Sequence, residues 1–168
     1  MDEHTPQNDE TTIQTRIVPM AESDLDEVLS IEASSRQTSW SRHSFVEEIK
    51  SPLSFCFVLR GGNEPAERVL GFICFRVIGE ESDLLNLAVH SQYRHMGIGK
   101  ELMKFYVDFC RERKTKIFYL ETAVSNGAAI HLYQSFDYHP AGIRAKLFRG
   151  KEDALLMVRR ARTEEISR

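Results

Sequence analysis

The sequence predicts an α/β domain in which a mixed sheet packs against several helices, and three observations lead to this prediction. The 168 residues suit one compact domain. Runs rich in β-branched and aromatic residues are separated by short polar loops, which favours hairpins and antiparallel pairing. Two runs of helical spacing also stand between strands, without the strict alternation of a doubly wound fold.

The N-terminal segment differs in composition from the rest of the chain. Residues 1–15 contain four acidic residues, no Lys or Arg and little that could be buried, so we expect a disordered acidic tail. We expect the folded domain to span residues 16–160, beginning with a short strand over 16–19, and residues 161–168 to form a C-terminal tail.

Two helices are predicted before the first long strand. Ser23 and Asp26 fit a capping box that opens a helix with apolar residues at helical spacing. Ser41 fits the N-cap of a second, shorter helix. The spacing of Phe45 and Ile49 would place both side chains on the inner side of that helix.

Six further strands are predicted from runs of β-branched and aromatic residues, each of which begins and ends at residues typical of turns. The polar residues 61–65 contain two glycines and a proline and fit the loop of a hairpin. Together with the N-terminal strand, these runs would form a sheet of about seven strands. They span residues 55–60, 69–78, 82–90, 117–122, 143–148 and 153–159.

Two longer helices are predicted in the second half of the chain. From Gly97 the apolar period changes from that of a strand to that of a helix. A second helix, over residues 126–136, follows the next strand. The inner faces would carry Ile98, Leu102, Phe105, Tyr106, Phe109 and Cys110 in the first helix, and Ala129, Leu132, Tyr133 and Phe136 in the second.

Composition excludes several classes of function. The 22 Lys and Arg residues against 25 Asp and Glu lack the basic excess of a dedicated nucleic-acid-binding domain. The three cysteines are an odd number set among apolar residues, which predicts buried free thiols and a reducing, cytoplasmic location. No apolar run reaches the roughly 18 residues of a membrane span, and no signal-sequence pattern is found. The histidines lack metal-ligand spacing, so we expect no metal site.

A Gly-x-Gly turn lies between a predicted strand and the long helix. The first N–H groups of a helix have no intrahelical partner and its dipole favours an anion, so phosphate could bind there. A dinucleotide fingerprint would need glycine at Leu102, and a P-loop would need Ser or Thr at Glu101. A phosphate site and a flexible start of the helix both stay open from these residues alone. The turn residues are Arg94, His95, Met96, Gly97, Ile98, Gly99 and Lys100.

Several blocks of the sequence together resemble the GNAT family of acetyltransferases. The turn matches the family's pattern Arg/Gln-x-x-Gly-x-Gly/Ala, and the resemblance extends over residues 16–160. Within the family, the blocks are most similar to bacterial ribosomal-protein alanine N-acetyltransferases, with archaeal and eukaryotic N-terminal acetyltransferases as cousins. The other blocks are Trp40-Ser41, Asn86-Leu87-Ala88-Val89, Leu120-Glu121, Ser125-Asn126-x-Ala128-Ala129-x-x-Leu132-Tyr133 and Glu152-Asp153-Ala154.

The resemblance implies the GNAT fold and acetyl-CoA as cosubstrate, without a metal. That fold has a mixed, mostly antiparallel sheet of about seven strands, about four helices and a splayed parallel strand pair, here residues 82–90 and 117–122. The turn residues would bind the pyrophosphate. Asn126 would bind the pantetheine arm, although it could equally be a helix N-cap. Backbone groups that would bind the acetyl and pantetheine end belong to Leu87, Ala88 and Val89.

The resemblance also assigns catalytic roles to Glu121 and Tyr133. The reaction must remove a proton from the acceptor ammonium and return one to the CoA thiolate. Glu121 matches the family's general base, and Tyr133 matches its general acid, which lies against the cofactor. A backbone N–H near Val89 would polarise the thioester carbonyl. From the residues alone, Glu121 could instead reach solvent or a lysine at a strand end, and Tyr133 could be a core tyrosine.

The acceptor side of the expected site departs from the family pattern. Trp40 and Phe148 are expected to contact the acceptor. Leu147 and Phe148 stand where the family has a tyrosine pair that holds the acceptor's N-terminus, so the apolar contact is kept and the hydroxyls are lost. Two further departures are Ala123 for the usual Arg and Asp137-Tyr138 for the usual Gly-Phe.

The expected function is N-terminal protein acetylation. Acetyl would pass from acetyl-CoA to the α-amino group of a protein by direct attack in a ternary complex, with the N-terminal alanine of ribosomal protein S18 as the expected acceptor. The acidic residues Glu80, Glu81 and Asp83 could attract a basic peptide, or they could form a solvated turn. The alternatives are an acetyltransferase of small amines or lysine side chains, and a non-catalytic acyl-CoA-binding module.

Overall fold

A seven-stranded mixed sheet forms the centre of the protein. The computed structural model describes residues 13–35, 40–62, 66–148 and 152–167, with only the backbone at 146–148. The strands are β1 (Thr15–Pro19), β2 (Ser54–Gly61), β3 (Arg68–Ile78), β4 (Glu81–Val89), β5 (Ile117–Ala123), β6 (His139–Phe148) and β7 (Glu152–Arg160). Their order across the sheet is β1-β2-β3-β4-β5-β7-β6.

Helices connect the strands on both faces of this sheet. The Ser41 side chain caps the second helix by accepting a hydrogen bond from Ser44 N at 3.1 Å, as the sequence predicts. Short 3-10 turns span Glu22–Asp24 and Ser91–Tyr93. The helices are α1 (Leu25–Ser34), α2 (Arg42–Lys50), α3 (Ile98–Glu112), α4 (Gly127–Gln134) and α5 (Thr163–Ile166).

β4 and β5 pair in parallel over four residues and then separate. Their register runs from Glu81 opposite Ile117 to Leu84 opposite Leu120. On its other side β4 stays paired with β3, where the register shifts so that Leu85 forms a bulge between Leu84 and Asn86. The remaining pairs of described strands are antiparallel. The predicted fold class is confirmed, including the splayed parallel pair.

Each face of the sheet carries its own apolar core. The face covered by α3 and α4 buries a cluster that includes Ile73, Tyr106 and Phe118. The face covered by α1 and α2 buries a cluster that includes Phe45 and Phe72, whose rings meet edge to face at 5.4 Å. Because successive strand residues point to opposite faces, the register decides which core each β4 and β5 side chain joins.

The start of α1 differs from its prediction. Ser23 lies inside the 3-10 turn, and Asp26 is exposed on α1, where it pairs with Arg42. The carboxylate that caps this region belongs to Asp24, whose Oδ2 accepts a hydrogen bond from Ala21 N at 2.8 Å. The predicted capping box is therefore displaced, because Asp24 is buried and ion-paired with Arg60 of β2 while Asp26 faces solvent.

Both predicted tails contain ordered residues. β1 begins at Thr15, one residue before the expected start of the domain, and Ile13 packs against the core on the α3 face. Residues 1–12 of the expected acidic tail lie outside the described part of the chain. At the other end, residues expected to form a tail contain the short helix α5.

The thiols follow their prediction. Cys56, Cys74 and Cys110 are buried and free. Burial raises the pKa of the Cys110 thiol to about 11, so this sulfur is a core group. Among the described residues, no helix combines the length and apolar character needed to cross a membrane.

A buried guanidinium holds α5 against the sheet. Arg159 of β7 has 4% of its side chain exposed and donates to both carboxylate oxygens of Glu165, at 2.7 and 3.0 Å. Its Nε donates to the carbonyl of Phe136 at 3.0 Å, and its plane lies over the Phe118 ring. Burial raises the pKa of Glu165, but the hydrogen bonds and positive charge of Arg159 outweigh it and lower the pKa overall.

We expect Glu165→Gln to destabilise the protein at pH 7 by about 2 kcal/mol, because the substitution leaves the buried Arg159 without its counter-ion. The melting temperature should fall by about 4–8 °C. Since the folded-state pKa of Glu165 is lowered, its contribution disappears as the carboxylate is protonated, and the two melting curves should converge below about pH 4. The exposed neighbour offers a control: a Glu164→Gln variant that melted as early as Glu165→Gln would contradict this account.

Candidate active site

The gap between β4 and β5 is the centre of the candidate site. Beyond the last paired residues, β4 continues over Leu87, Ala88 and Val89, with Leu87 and Ala88 more than nine-tenths buried. β5 continues through Glu121 to Ala123 and pairs there with β7. Backbone groups of β4 that face the gap have no β5 partner in the register, so a ligand between the strands could bond them.

The Gly-x-Gly turn lies at the end of β4 and opens α3. His95 and Gly97 adopt positive φ angles of 63° and 81°, and Gly97 is the N-cap of α3. A side chain placed on Gly97 would meet nothing within 4 Å, so the space before the helix is open. The side chain of Ile98 is buried, whereas those of Arg94, His95, Met96 and Lys100 are exposed. The free N–H groups and dipole of α3 favour an anion in this space.

The start of α3 packs closely against α4. A Cβ placed on Gly99 would lie 3.2 Å from Leu132 Cδ2 and 3.8 Å from Val89 Cγ2. The three elements β4, α3 and α4 therefore meet at this glycine. Asn126 is the N-cap of α4, and its Oδ1 accepts a hydrogen bond from Ala129 N at 3.2 Å. Asn126 therefore caps α4, as one of its two interpretations predicts, and its contact with the cofactor stays a prediction.

Glu121 is the first β5 residue after the parallel pairing ends. Phe118 and Leu120 belong to the core under α3, so Glu121 points to the face covered by α1 and α2. The carboxylate is 26% exposed and lies 3.1 Å from Arg144 Nε of β6. The alternative for Glu121 was a carboxylate that reaches solvent or a lysine; its basic partner is an arginine two strands away, and its role as a base stays a prediction.

Tyr133 lies on the other face. It is 3% exposed and belongs to the core on the α3 face together with Leu87 and Leu120. Its ring lies 6.0 Å from that of Tyr138. Glu121 and Tyr133 therefore lie on opposite faces of the sheet.

The two residues expected on the acceptor side differ in what is described. Trp40 precedes the N-cap of α2, is partly buried, and packs edge to face on Phe45 at 5.1 Å. Trp40 thus belongs to the face that also carries Glu121. The side chain of Phe148 lies outside the described residues, and its backbone pairs with Glu152.

Charges surround Glu121 on its face of the sheet. Asp83 of β4 lies opposite Tyr119 and so shares the Glu121 face. Burial raises the pKa of Asp83, the negative charge of Glu121 raises it further, and Arg76 and Arg144 partly oppose both. The predicted acidic run is not a uniform cluster, because Glu80 pairs with Lys116 at 2.7 Å. Glu81 is exposed.

Sequence reasoning missed two groups near the gap. Arg144 was placed in a predicted strand, but no local signal indicated that it pairs with Glu121. A buried link between Glu32 and Asn86 was also missed, because 54 residues separate them. The one available signal was Glu32, an acidic residue at an inner position of α1, which indicates a buried carboxylate that needs a polar partner. Among the described residues, no group of His, Cys, Asp and Glu side chains could hold a metal ion.

Comparison with known proteins agrees with this geometry. A sequence profile described as the acetyltransferase (GNAT) family matches residues 25–138. The chain belongs to this family. It is 32% identical over 136 residues to a Bacillus subtilis protein to which the alanine N-acetylation of ribosomal protein bS18 is ascribed, covering 80% of this chain and 87% of the relative.

Two further relatives come from Escherichia coli. The ribosomal protein bS18-alanine N-acetyltransferase of strain K12 is 30% identical over 138 residues, covering 80% of this chain and 89% of the relative. The crystal structure of the E. coli ribosomal-protein-S18-alanine N-acetyltransferase superposes with a TM-score of 0.75 at 28% identity, over 88% of this chain and 94% of that one. Family membership makes this chain an N-acetyltransferase that uses acetyl-CoA.

We expect Asp83→Asn to raise the melting temperature at pH 7, because the substitution removes a charge that its surroundings disfavour. The sign of this effect follows from the pKa of Asp83, which is higher in the folded than in the unfolded protein. Above the folded-state pKa, the ionised carboxylate destabilises the folded state. Below the ordinary pKa of 3.8, the group is neutral in the folded and unfolded states and the effect disappears. Melting curves of the variant and the wild type should therefore converge at about pH 3. Asp83 is itself exposed, so the gain should be modest. Glu81→Gln, another exposed change two residues earlier, should have little effect, and an equal gain from it would refute the local cause.

Proposed function

We propose that this protein acetylates the α-amino group of a protein N-terminus, with the N-terminal alanine of ribosomal protein S18 as its acceptor. The observation that supports the proposal is that Glu121 and the core containing Tyr133 lie on opposite faces of the sheet in which β4 and β5 separate. An acyl transfer to an amine needs a base on the acceptor's side and an acid on the leaving group's side. The relatives whose alignments cover 80% of this chain support the choice of acceptor.

The residues around the gap fit acetyl-CoA, which supplies the acetyl group as a thioester. The backbone of Leu87, Ala88 and Val89 binds the acetyl and pantetheine end, because amide groups of the arm replace the missing β5 neighbour. Asn126 at the start of α4 adds a side-chain bond to that arm. The turn from His95 to Lys100, where the space before Gly97 is open, binds the pyrophosphate.

Each catalytic group then moves one proton. The acceptor enters from the face of α1 and α2, where Trp40 contacts it, and Glu121 takes a proton from its ammonium group. The amine nitrogen bonds to the carbonyl carbon, whose oxygen accepts a hydrogen bond from a backbone N–H near Val89. As the carbon–sulfur bond breaks, Tyr133 donates its phenolic proton to the sulfur. The nitrogen then loses its second proton, which restores the Tyr133 phenol, so that a neutral amide and the CoA thiol leave and Glu121 returns its proton to solvent. Arg144, 3.1 Å from Glu121, holds the carboxylate in place.

The decisive assay is acetylation of a matched panel of acceptors by the purified protein with acetyl-CoA. The panel contains a peptide with the N-terminus of ribosomal protein S18, the same peptide with a blocked α-amino group and one internal lysine, and free small amines. Mass spectrometry should locate a single acetyl group on the free α-amino group. Acetylation confined to small amines or to the lysine would replace this proposal with the corresponding alternative. Binding of acetyl-CoA without acetylation of any amine would identify a binding module.

We expect Glu121→Gln and Tyr133→Phe each to lower kcat/KM for the peptide by about 10²–10⁴-fold, because each removes one proton-transfer group. The affinity for CoA should change little, since the backbone supplies most cofactor contacts. Tyr138→Phe provides a matched control, because its ring neighbours Tyr133 at 6.0 Å and lies outside the proposed machinery. Turnover of both variants at the wild-type rate, in protein with an unchanged melting temperature, would remove these assignments.

A further inference from the structure

A buried carboxylate outside the proposed catalytic pair links three elements of the molecule. Glu32 lies near the end of α1 and is 3% exposed. Its Oε2 accepts a hydrogen bond from Asn86 Nδ2 at 3.0 Å, and its Oε1 accepts one from Trp40 N at 3.1 Å. One side chain therefore joins α1 to β4 and to the residue that precedes the N-cap of α2.

The two groups that Glu32 joins belong to the two substrate-binding sides of the site. Asn86 directly follows the Leu85 bulge and precedes Leu87, where β4 has left β5 and the acetyl end of the cofactor is expected. Trp40 is expected to contact the acceptor, and its ring rests on Phe45. Glu32 thus sets the position of an acceptor-side backbone relative to the cofactor strand.

A second bond repeats this connection at the same end of α1. Arg94, which opens the phosphate-binding turn, donates from Nη2 to the carbonyl of Ser34 at 3.2 Å. Ser34 is the last residue of α1. Both β4 and the Gly-x-Gly turn of the expected cofactor site are therefore hydrogen-bonded to the C-terminal end of α1. The chain continues from this end toward Trp40 on the acceptor side.

Stability alone does not account for the Glu32–Asn86 pair. Asn86 is 3% exposed, and its Oδ1 is buried without a hydrogen-bond partner. A buried polar atom without a partner destabilises a fold, and apolar side chains of similar size often replace buried polar pairs at no cost. The apolar neighbours Phe72 and Cys74 in the same core would suit such a replacement. The pair is therefore explained by what it positions.

We propose that Glu32 and Asn86 are positioning residues that hold Trp40, and with it the acceptor, in line with the thioester on β4. This inference rests on the proposed function, and it deepens that function by naming what aligns the two substrates. Neither residue touches the reacting atoms. Because a displacement of about 1 Å can cost about 10²-fold in rate, one hydrogen-bonded link is sufficient to control turnover.

The test uses three variants and a control, each made in the full chain. Asn86→Ala removes the donor to Glu32, and Asn86→Asp places a second carboxylate against it. In the double variant Glu32→Gln/Asn86→Asp, the glutamine oxygen still accepts from Trp40 N and its amide donates to the aspartate, so both hydrogen bonds are restored with the charge exchanged. Asp26→Asn is the control: it weakens the exposed Asp26–Arg42 pair, which also joins α1 to α2, and leaves both hydrogen bonds of Glu32 intact.

Kinetics should separate positioning from folding. We expect both single substitutions at Asn86 to raise the acceptor KM and to lower kcat/KM by about 10–100-fold. The dissociation constant for CoA should stay within about twofold, because its backbone contacts are unchanged. The double variant should recover to within about threefold of the wild type. If Asn86→Asp fails to fold, Asn86→Ala and the double variant still decide the outcome.

Fluorescence gives a readout that does not need turnover. Trp40 is the single tryptophan of the sequence, so emission excited at wavelengths that tyrosine does not absorb reports on it alone. Acrylamide should quench this emission more readily in both single Asn86 variants than in the wild type. In the double variant and in Asp26→Asn, quenching should equal that of the wild type. The inference would be overturned if the Asn86 variants kept the wild-type quenching and acceptor KM. It would also be overturned if the double variant folded and recovered neither the wild-type quenching nor the wild-type KM.

The two proposals fail in different ways. A wild-type protein that acetylates a small amine and no peptide would refute the proposed acceptor, and the same KM comparison would then be made with that amine. A wild-type protein that acetylates the peptide while the Asn86 variants match Asp26→Asn would refute the positioning role and leave the proposed function intact.

Discussion

The rest of the site depends on the point where β4 and β5 stop pairing. The parallel register ends at Leu84 and Leu120, directly before the bulge at Leu85. Because both strands run in the same direction, α3 and α4 begin at the same edge of the sheet, beside the gap. The helix N-termini, the unpaired backbone of β4 and the first side chains beyond the pairing therefore gather in one place. A single interruption of a hydrogen-bond ladder creates the opening, its anion-binding end and its two chemically different faces.

The two faces divide the chemistry because a strand alternates its side chains. Residues of β5 that join the core under α3 alternate with those that face α1 and α2, so Glu121 and the buried Leu120 are separated by the sheet itself. The phenol of Tyr133 is held in an apolar core, whereas Glu121 lies among charged groups that include Arg144 and Asp83. The sheet itself therefore separates the carboxylate from the phenol without any special loop.

Local pattern predicted the elements well, and it failed where long-range pairing decides the outcome. The 3.6-residue period identified α3, and β-branched runs identified the seven strands to within a few residues. The Arg144–Glu121 pair depends on the order β5-β7-β6, which no local pattern contains. Helix α5 was assigned to a tail because its four residues are too few to show a period, and Arg159 holds it through a tertiary contact. Local motifs singled out the candidate site residues, whereas no local pattern paired Glu121 with Arg144 or Asn86 with Glu32.

Polar groups of the fold differ in the partners that surround them. Arg159 has a carboxylate, a backbone carbonyl and an aromatic ring as partners, although its Nη1 is buried without a hydrogen bond, and it anchors the C-terminus away from the gap. Asn86 keeps a side-chain oxygen buried without a partner, and the exposed Asp83 has a pKa that is raised by desolvation and by the nearby carboxylate of Glu121. Selection for stability alone would remove such groups. Both lie on β4 on the face of Glu121, beside the point where the strands separate, so part of the polar cost of the fold falls beside the gap, while buried atoms without a partner, such as Thr115 Oγ1, also lie elsewhere.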